Sequence, residues 1–186
     1  MITFTRYSSV RKVKKKRKVT YLDFEIDKLT NSIENSISGD KFETDIIEVL
    51  SSDEGIKKAK WKFDWRRECK EANRKVYKLV IRGSDGVIQG LISLSDNKDH
   101  VFIHLIESAK FNRGGGKLYI GVAGNLVAFA CKQSVEYGYQ GFVTFYAKTQ
   151  LIGHYQKTLN AISIGGLQMI IDSRGAGILI NKYFKL

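Results

Sequence analysis

From Tyr119 onward the chain reads YIGVAGNLVAFACKQSVEYGY, where small residues at Gly121, Ala123 and Gly124 run unbroken into a long apolar stretch. Leu126, Val127, Ala130 and Cys131 recur there at helical spacing, which predicts a helix over residues 124–137 with Gly138 as its C-cap. Small side chains let a ligand reach the main chain, and the first turn of a helix has N–H groups without intrahelical partners. A strand, a small-residue turn and a helix start together therefore predict an anion cradle suited to a pyrophosphate.

The flanking pattern sets the sheet around this turn. Residues 76–82, 87–94 and 100–108 are β-branched or aromatic runs separated by GSDG and SDNKD, an antiparallel meander. A glycine-rich loop follows at 112–117. After the helix come a strand at 141–147, a helix at 150–159 and strands at 167–172 and 177–184. Upstream, residues 29–51, within an acidic stretch at 21–58, read as a helix, a turn and a strand, and residues 61–74, with Trp61, Phe63 and Trp65, as a helix packing its aromatic side inward. The expected fold is α+β in three layers, with a mixed, mainly antiparallel central sheet flanked by helices and one strand–helix–strand crossover joining parallel strands.

Two nucleotide-binding classes are disfavoured by the neighbours of the turn. A P-loop needs Gly-Lys-Ser/Thr closing it, whereas Gly124 is followed by Asn125 and Leu126. A dinucleotide fingerprint should open the first βα unit of a parallel sheet, but here the turn follows three antiparallel strands.

In these residues the chain resembles the Gcn5-related N-acetyltransferases. Their signature turn is Arg/Gln-x-x-Gly-x-Gly/Ala, between a bulged fourth strand and the central helix, with a tyrosine on the helix after the next strand. Gly121-Val122-Ala123 matches the core of that turn, and His154-Tyr155-Gln156-Lys157 is similar to the family's Phe-Tyr-Glu-Lys segment. The resemblance spans about residues 76–184. It departs at Leu118, where the family has Arg or Gln, and at Lys148, where it often has Asn. It implies a splayed parallel strand pair at the cofactor site and acetyl-coenzyme A as cosubstrate. The pantetheine arm would lie along Ile106, Ser108 and Ala109, the coenzyme would be held at the turn beginning with Tyr119, and the pyrophosphate would sit on the amides of Ile120, Gly121, Val122, Ala123, Gly124 and Asn125. Lys117 or Arg113 would take the place of the missing basic residue.

The implied activity is direct acetyl transfer to a primary amine, with Tyr155 protonating the coenzyme thiolate. A lysine-type amine has a pKa near 10.4, so a base or water relay is needed. Glu107 and His104 are the candidates, expected on opposite faces of their strand because they are three residues apart. In related folds the segment before the second strand lines the acceptor groove, which nominates Trp61, Phe63, Trp65 and Glu68. The acceptor is left open among a small amine, a protein lysine, an N-terminus and an aminoacyl-tRNA, as is the oligomeric state, a homodimer included.

Composition bounds the rest. With 186 residues and 43% apolar content the chain reads as a basic extension, residues 1–20, followed by one domain, residues 21–186, which the resemblance implies is an acetyltransferase domain. Of the net charge of +12, eight charges fall in residues 6–18, where Arg6, Arg11, Lys12, Lys14, Lys15, Lys16, Arg17 and Lys18 occur without an acid. Such a run attracts nucleic acid or another polyanion, or serves only as a solvated tail. The alternative function is accordingly a catalytically degenerate module of the same fold, binding nucleic acid or a protein partner through this arm. No membrane span or signal peptide is expected, and a cytoplasmic location follows. Cys69 and Cys131 have no metal-ligand spacing, so two reduced thiols and no metal site are expected.

Overall fold

The computed structural model describes residues 19–184, and the basic run at 6–18 lies outside the described residues. After an extended segment come β1 (Ile33–Asn35), β2 (Lys41–Phe42) and β3 (Thr44–Val49), then a single helical turn, α1 (Trp65–Glu68). The meander follows as β4 (Lys75–Ile81), β5 (Ser84–Asp96) and β6 (Val101–Ser108). A short β7 (Tyr119–Ile120) leads into α2 (Val122–Glu136). Next are β8 (Val143–Tyr146), α3 (Ile152–Leu159), β9 (Ile162–Gly165), β10 (Gln168–Ile171) and α4 (Ser173–Phe184).

Seven strands form the main sheet in the order β3-β4-β5-β6-β8-β10-β9. Every neighbouring pair is antiparallel except β6 and β8, the two strands joined through α2. Their parallel register covers Val101–Val143 and Phe102–Thr144. Beyond that point the two strands part, leaving a V beside the start of α2.

Alternation along the strands divides the core between the two sheet faces. Tyr77, Leu79, Ile92, Leu94, Val101, Ile103 and Ile106 pack with α2, while Leu91 and Leu105 pack with Ile56, Trp61 and Trp65 on the other side. α2 is buried nearly all round, with Leu126, Val127 and Cys131 at most 1% exposed, because α4 covers the side turned from the sheet. Its C-terminus closes as expected, with Gly138 in the left-handed region and its amide donating to the Val135 carbonyl at 2.9 Å.

The final predicted strand is a helix. Ala176, Leu179, Ile180 and Tyr183 are buried at i, i+3, i+4 and i+7, Ile178 is exposed, and Asp172 Oδ1 accepts from the Gly175 amide at 2.8 Å as the cap. The isoleucines suggested a strand, but packing on α2 outweighs their local preference. The sheet ends instead with the β9–β10 hairpin, whose first strand the sequence reading missed.

Upstream, the long helix expected at 61–74 shrinks to one turn capped by Asp64, whose Oδ1 accepts from the Arg67 amide. Residues 62 and 63 lie outside it, upstream of the Asp64 cap, with both amides donating to the Glu107 carboxylate. The helix expected at the start of 29–51 is replaced by extended chain and the β1–β2 hairpin. There the Asn35 side chain accepts from the Ile37 and Ser38 amides and closes the turn, a local alternative to helix that asparagine offers.

Candidate functional site

α2 starts from Gly121, whose φ of 86° lies in the left-handed region, and a Cβ there would stand 2.0 Å from Thr30 Oγ1. Only glycine fits both the backbone and the space. The Gly121 carbonyl accepts from the Asn125 amide at 2.9 Å and closes the first helical turn. Its amide points out of the helix and donates to Asp27 Oδ1 at 3.0 Å. The other Asp27 oxygen accepts from Lys117 Nζ at 3.1 Å. An amide at a helix start and a lysine thus hold one carboxylate between them, the arrangement that favours anions.

Of the other turn residues, Ala123 faces the V, whereas Val122 packs into the core. Gly124 and Asn125 are buried, with Asn125 Nδ2 donating to Thr44 Oγ1 at 2.9 Å and the Tyr183 hydroxyl crowding Gly124. Tyr119 and Ile120 pair with β1, and the Tyr119 amide donates to Asn112 Oδ1 at 3.1 Å, which commits these two residues to the fold. Leu118 is exposed, and its neighbour Lys117 supplies the cation beside the turn.

A groove of about 340 Å³ runs from this turn along β6. Ile106, Glu107 and Ser108 form one wall, the glycine-rich loop with Asn112, Arg113 and Lys117 forms its end, and Ala123 lies at its base. Ala109, beyond the strand, is turned toward the tryptophan cluster on the far face. The opposite wall is the chain's own segment at 23–27. That segment runs in the V: Leu22 bridges to Ala147 in parallel, its amide donating to the Tyr146 carbonyl at 2.7 Å and its carbonyl accepting from the Lys148 amide at 3.3 Å.

Tyr155 lies under the segment. It is fully buried, its ring packs against Phe24 and Phe145, and its hydroxyl donates to the Phe24 carbonyl at 2.7 Å. Burial pushes the phenol well above the ordinary tyrosine range, so it is a protonated donor. Beside it, the Ile26 amide donates to His154 Nε2 at 2.8 Å.

His104 and Glu107 share one face of β6, contrary to the expectation from their spacing. β5–β6 register shifts between Ser93 and Leu94, which leaves His104 as the extra residue of a bulge and reverses the alternation after it. Ile103 and Ile106 consequently both pack under α2, while His104 and Glu107 both face the other side. His104 Nε2 is 2.9 Å from Ser95 Oγ, and its ring packs on Phe102.

Glu107 is 4% exposed and its oxygens accept from the Lys62 amide (2.6 Å), the Phe63 amide (3.1 Å) and Trp65 Nε1 (2.9 Å), with Arg113 3.3 Å away. The open carboxylate expected of a base is instead a clamp that shapes the wall. Trp61, Trp65 and Glu68 are core residues, Glu68 bonding Ser93 Oγ and Arg74. Phe63 is the member of that group that lines the groove, and with Glu68 it also lines a neighbouring cavity of about 420 Å³ bounded by Tyr21, Leu105 and Lys148.

Asp27, Phe24 and Leu22 escaped the sequence reading. Their signal was the alternation in Leu22-Asp23-Phe24-Glu25-Ile26-Asp27, where the apolar residues turn inward and the acids toward the groove.

No family model and no curated protein sequence matches the chain. Among solved structures, it is similar to a bacterial toxin at 12% identity and a TM-score of 0.54, over 78% of this chain and 99% of that one. It is also similar to AtaTR bound with AcCoA, at 11% identity and a TM-score of 0.50, over 74% and 98% of the two chains. With these likenesses, the seven-strand, mostly antiparallel sheet and its flanking helices show that the chain has the Gcn5-related N-acetyltransferase fold.

Proposed function

We propose that the protein is an acyltransferase that moves an acetyl group from acetyl-coenzyme A directly to an amine of its acceptor. The observation that carries this reading is the groove at the V, where the β6 edge meets an outward-facing helix-start amide and a lysine. A main-chain edge suits an amide-bearing pantetheine arm, and the amide with Lys117 suits its phosphates. The similarity to a protein solved with AcCoA supports the choice of coenzyme.

In this reading Ile106 and Ser108 receive the arm, while Gly121, Ala123 and Lys117 receive the phosphates. The amine nitrogen forms a bond to the thioester carbon as the carbon–sulfur bond breaks. The departing thiolate takes the proton of Tyr155, whose raised pKa keeps it available. Glu107 is saturated by its donors, so His104, on the same face and oriented by Ser95, is the candidate to receive the amine proton. That proton returns to Tyr155 through solvent.

A second reading, a non-enzymatic module of this fold that binds a polyanion through residues 6–18, is favoured by one observation: Tyr155 is covered by the chain itself. Thermal melting with acetyl-coenzyme A, followed by thiol release with a panel of amines, separates the two. The acyltransferase reading expects stabilisation of about 2.7 kcal/mol at 100 times the Kd, and thiol release with at least one amine. Stabilisation without thiol release from any amine would favour the module, and no stabilisation would remove the coenzyme from both.

A further inference from the structure

We propose that residues 22–30 are an intrachain competitor for the coenzyme, holding the V and the start of α2 until a coenzyme A thioester displaces them. The proposal rests on the coenzyme reading above and concerns the regulation of that site. Three independent contacts support it. Leu22 completes the β8 edge beyond the V through main-chain bonds to Tyr146 and Lys148. Phe24 takes the Tyr155 hydroxyl, the proton donor of the reaction. Asp27 places a carboxylate on the Gly121 amide and Lys117, the donors that suit a phosphate.

The composition of the segment fits that role. Asp23, Glu25 and Asp27 present three anionic groups along the groove while Leu22 and Ile26, each 3% exposed, anchor the other side. Beneath, the segment is held by two hydrogen bonds, Ile26 amide to His154 and Thr30 amide to the Tyr183 hydroxyl, and by the packing of Leu22 and Ile26 into the core with Phe24 and Leu29 against it. Coenzyme and segment cannot both hold the Gly121 amide and Lys117. Coenzyme affinity is therefore reduced by the fraction of molecules in which the segment is docked. Any partner that binds Asp23, Glu25 and Asp27 would raise activity without touching the reacting atoms.

The test uses the full chain and coenzyme A. Amide hydrogen exchange by mass spectrometry is followed in peptides covering 22–30 and 119–126, with Kd measured by calorimetry for the wild type and Asp27→Asn. The expected result is that coenzyme A slows exchange at 119–126 and accelerates it at 22–30, and that Asp27→Asn binds about tenfold more tightly, the scale of one charge-assisted hydrogen bond. Loss of a negative charge would tighten binding even without displacement, so the exchange at 22–30 decides. Protection of both regions by coenzyme A would overturn the proposal and leave the coenzyme reading intact, with the segment a fixed wall. No heat and no protection at 119–126, in either protein, would overturn the coenzyme reading as well. Binding by Asp27→Asn alone would support the competitor.

Discussion

The Tyr155 hydroxyl donates to the Phe24 carbonyl at 2.7 Å, across a separation of 131 residues. This bond joins the helix after the V to the segment lying in it, and ties the phenol proposed as the proton donor to the segment's position.

Tyr155→Phe removes both a proton donor and a tether. Acetyl transfer should fall by about 10²–10⁴-fold, the range for loss of a general acid. Coenzyme Kd should stay level or improve, because the segment has lost a bond. Steady-state rates beside calorimetric Kd values check this split. A parallel loss of rate and affinity would mean that Tyr155 serves binding.

Glu107→Gln tests whether the carboxylate is a clamp. The amide cannot accept from all the donors now on Glu107, and each unsatisfied buried group costs about 1–3 kcal/mol. Urea unfolding should show a loss of that order, with kcat per folded molecule nearly unchanged. A stable variant with a collapsed rate would restore Glu107 as the base.

Gly121→Ala should cost at least about 2 kcal/mol, from the left-handed backbone and the collision with Thr30. Gly116→Ala, in the loop where a Cβ meets nothing within 4 Å, should stay within about 0.5 kcal/mol. Thermal unfolding of the two variants side by side gives the comparison.

Much of this was readable in advance because it depends on local pattern. The β4–β5–β6 meander has clean alternation and turn residues, and α2 has helical spacing behind small residues. What escaped depends on partners distant in sequence. α4 looks like a strand until α2 supplies the surface for Ala176, Leu179, Ile180 and Tyr183. Residues 61–63 look helical in the letters, but they lie before the Asp64 cap, and two of their amides donate to Glu107, more than 40 positions away. His104 and Glu107 change their relation through a bulge that leaves no mark in the letters of β6. The alternation at 22–27 was visible, but its place in the V is set by β8 and Tyr155.

Acid should loosen the segment. The hydrogen bond from Lys148, with Lys62 nearby, holds the Asp23 carboxyl below its ordinary range. A depressed carboxylate contributes stability above its unfolded pKa of about 3.9 and loses it as pH falls through the lower folded value. The Tm difference between wild type and Asp23→Asn should therefore be full above about pH 5 and close on further acidification. A difference constant down to pH 2 would show that the charge plays no part.

The central claim is that the V between β6 and β8 receives the coenzyme at the start of α2, and a crystal structure of the full chain with coenzyme A tests it most directly. The account predicts the pantetheine arm along Ile106 and Ser108, phosphate oxygens on the Gly121 amide and Lys117, and Asp27 and Phe24 withdrawn from their present partners. Coenzyme bound elsewhere, or absent at saturating concentration with the Asp27–Gly121 and Tyr155–Phe24 bonds in place, would contradict it.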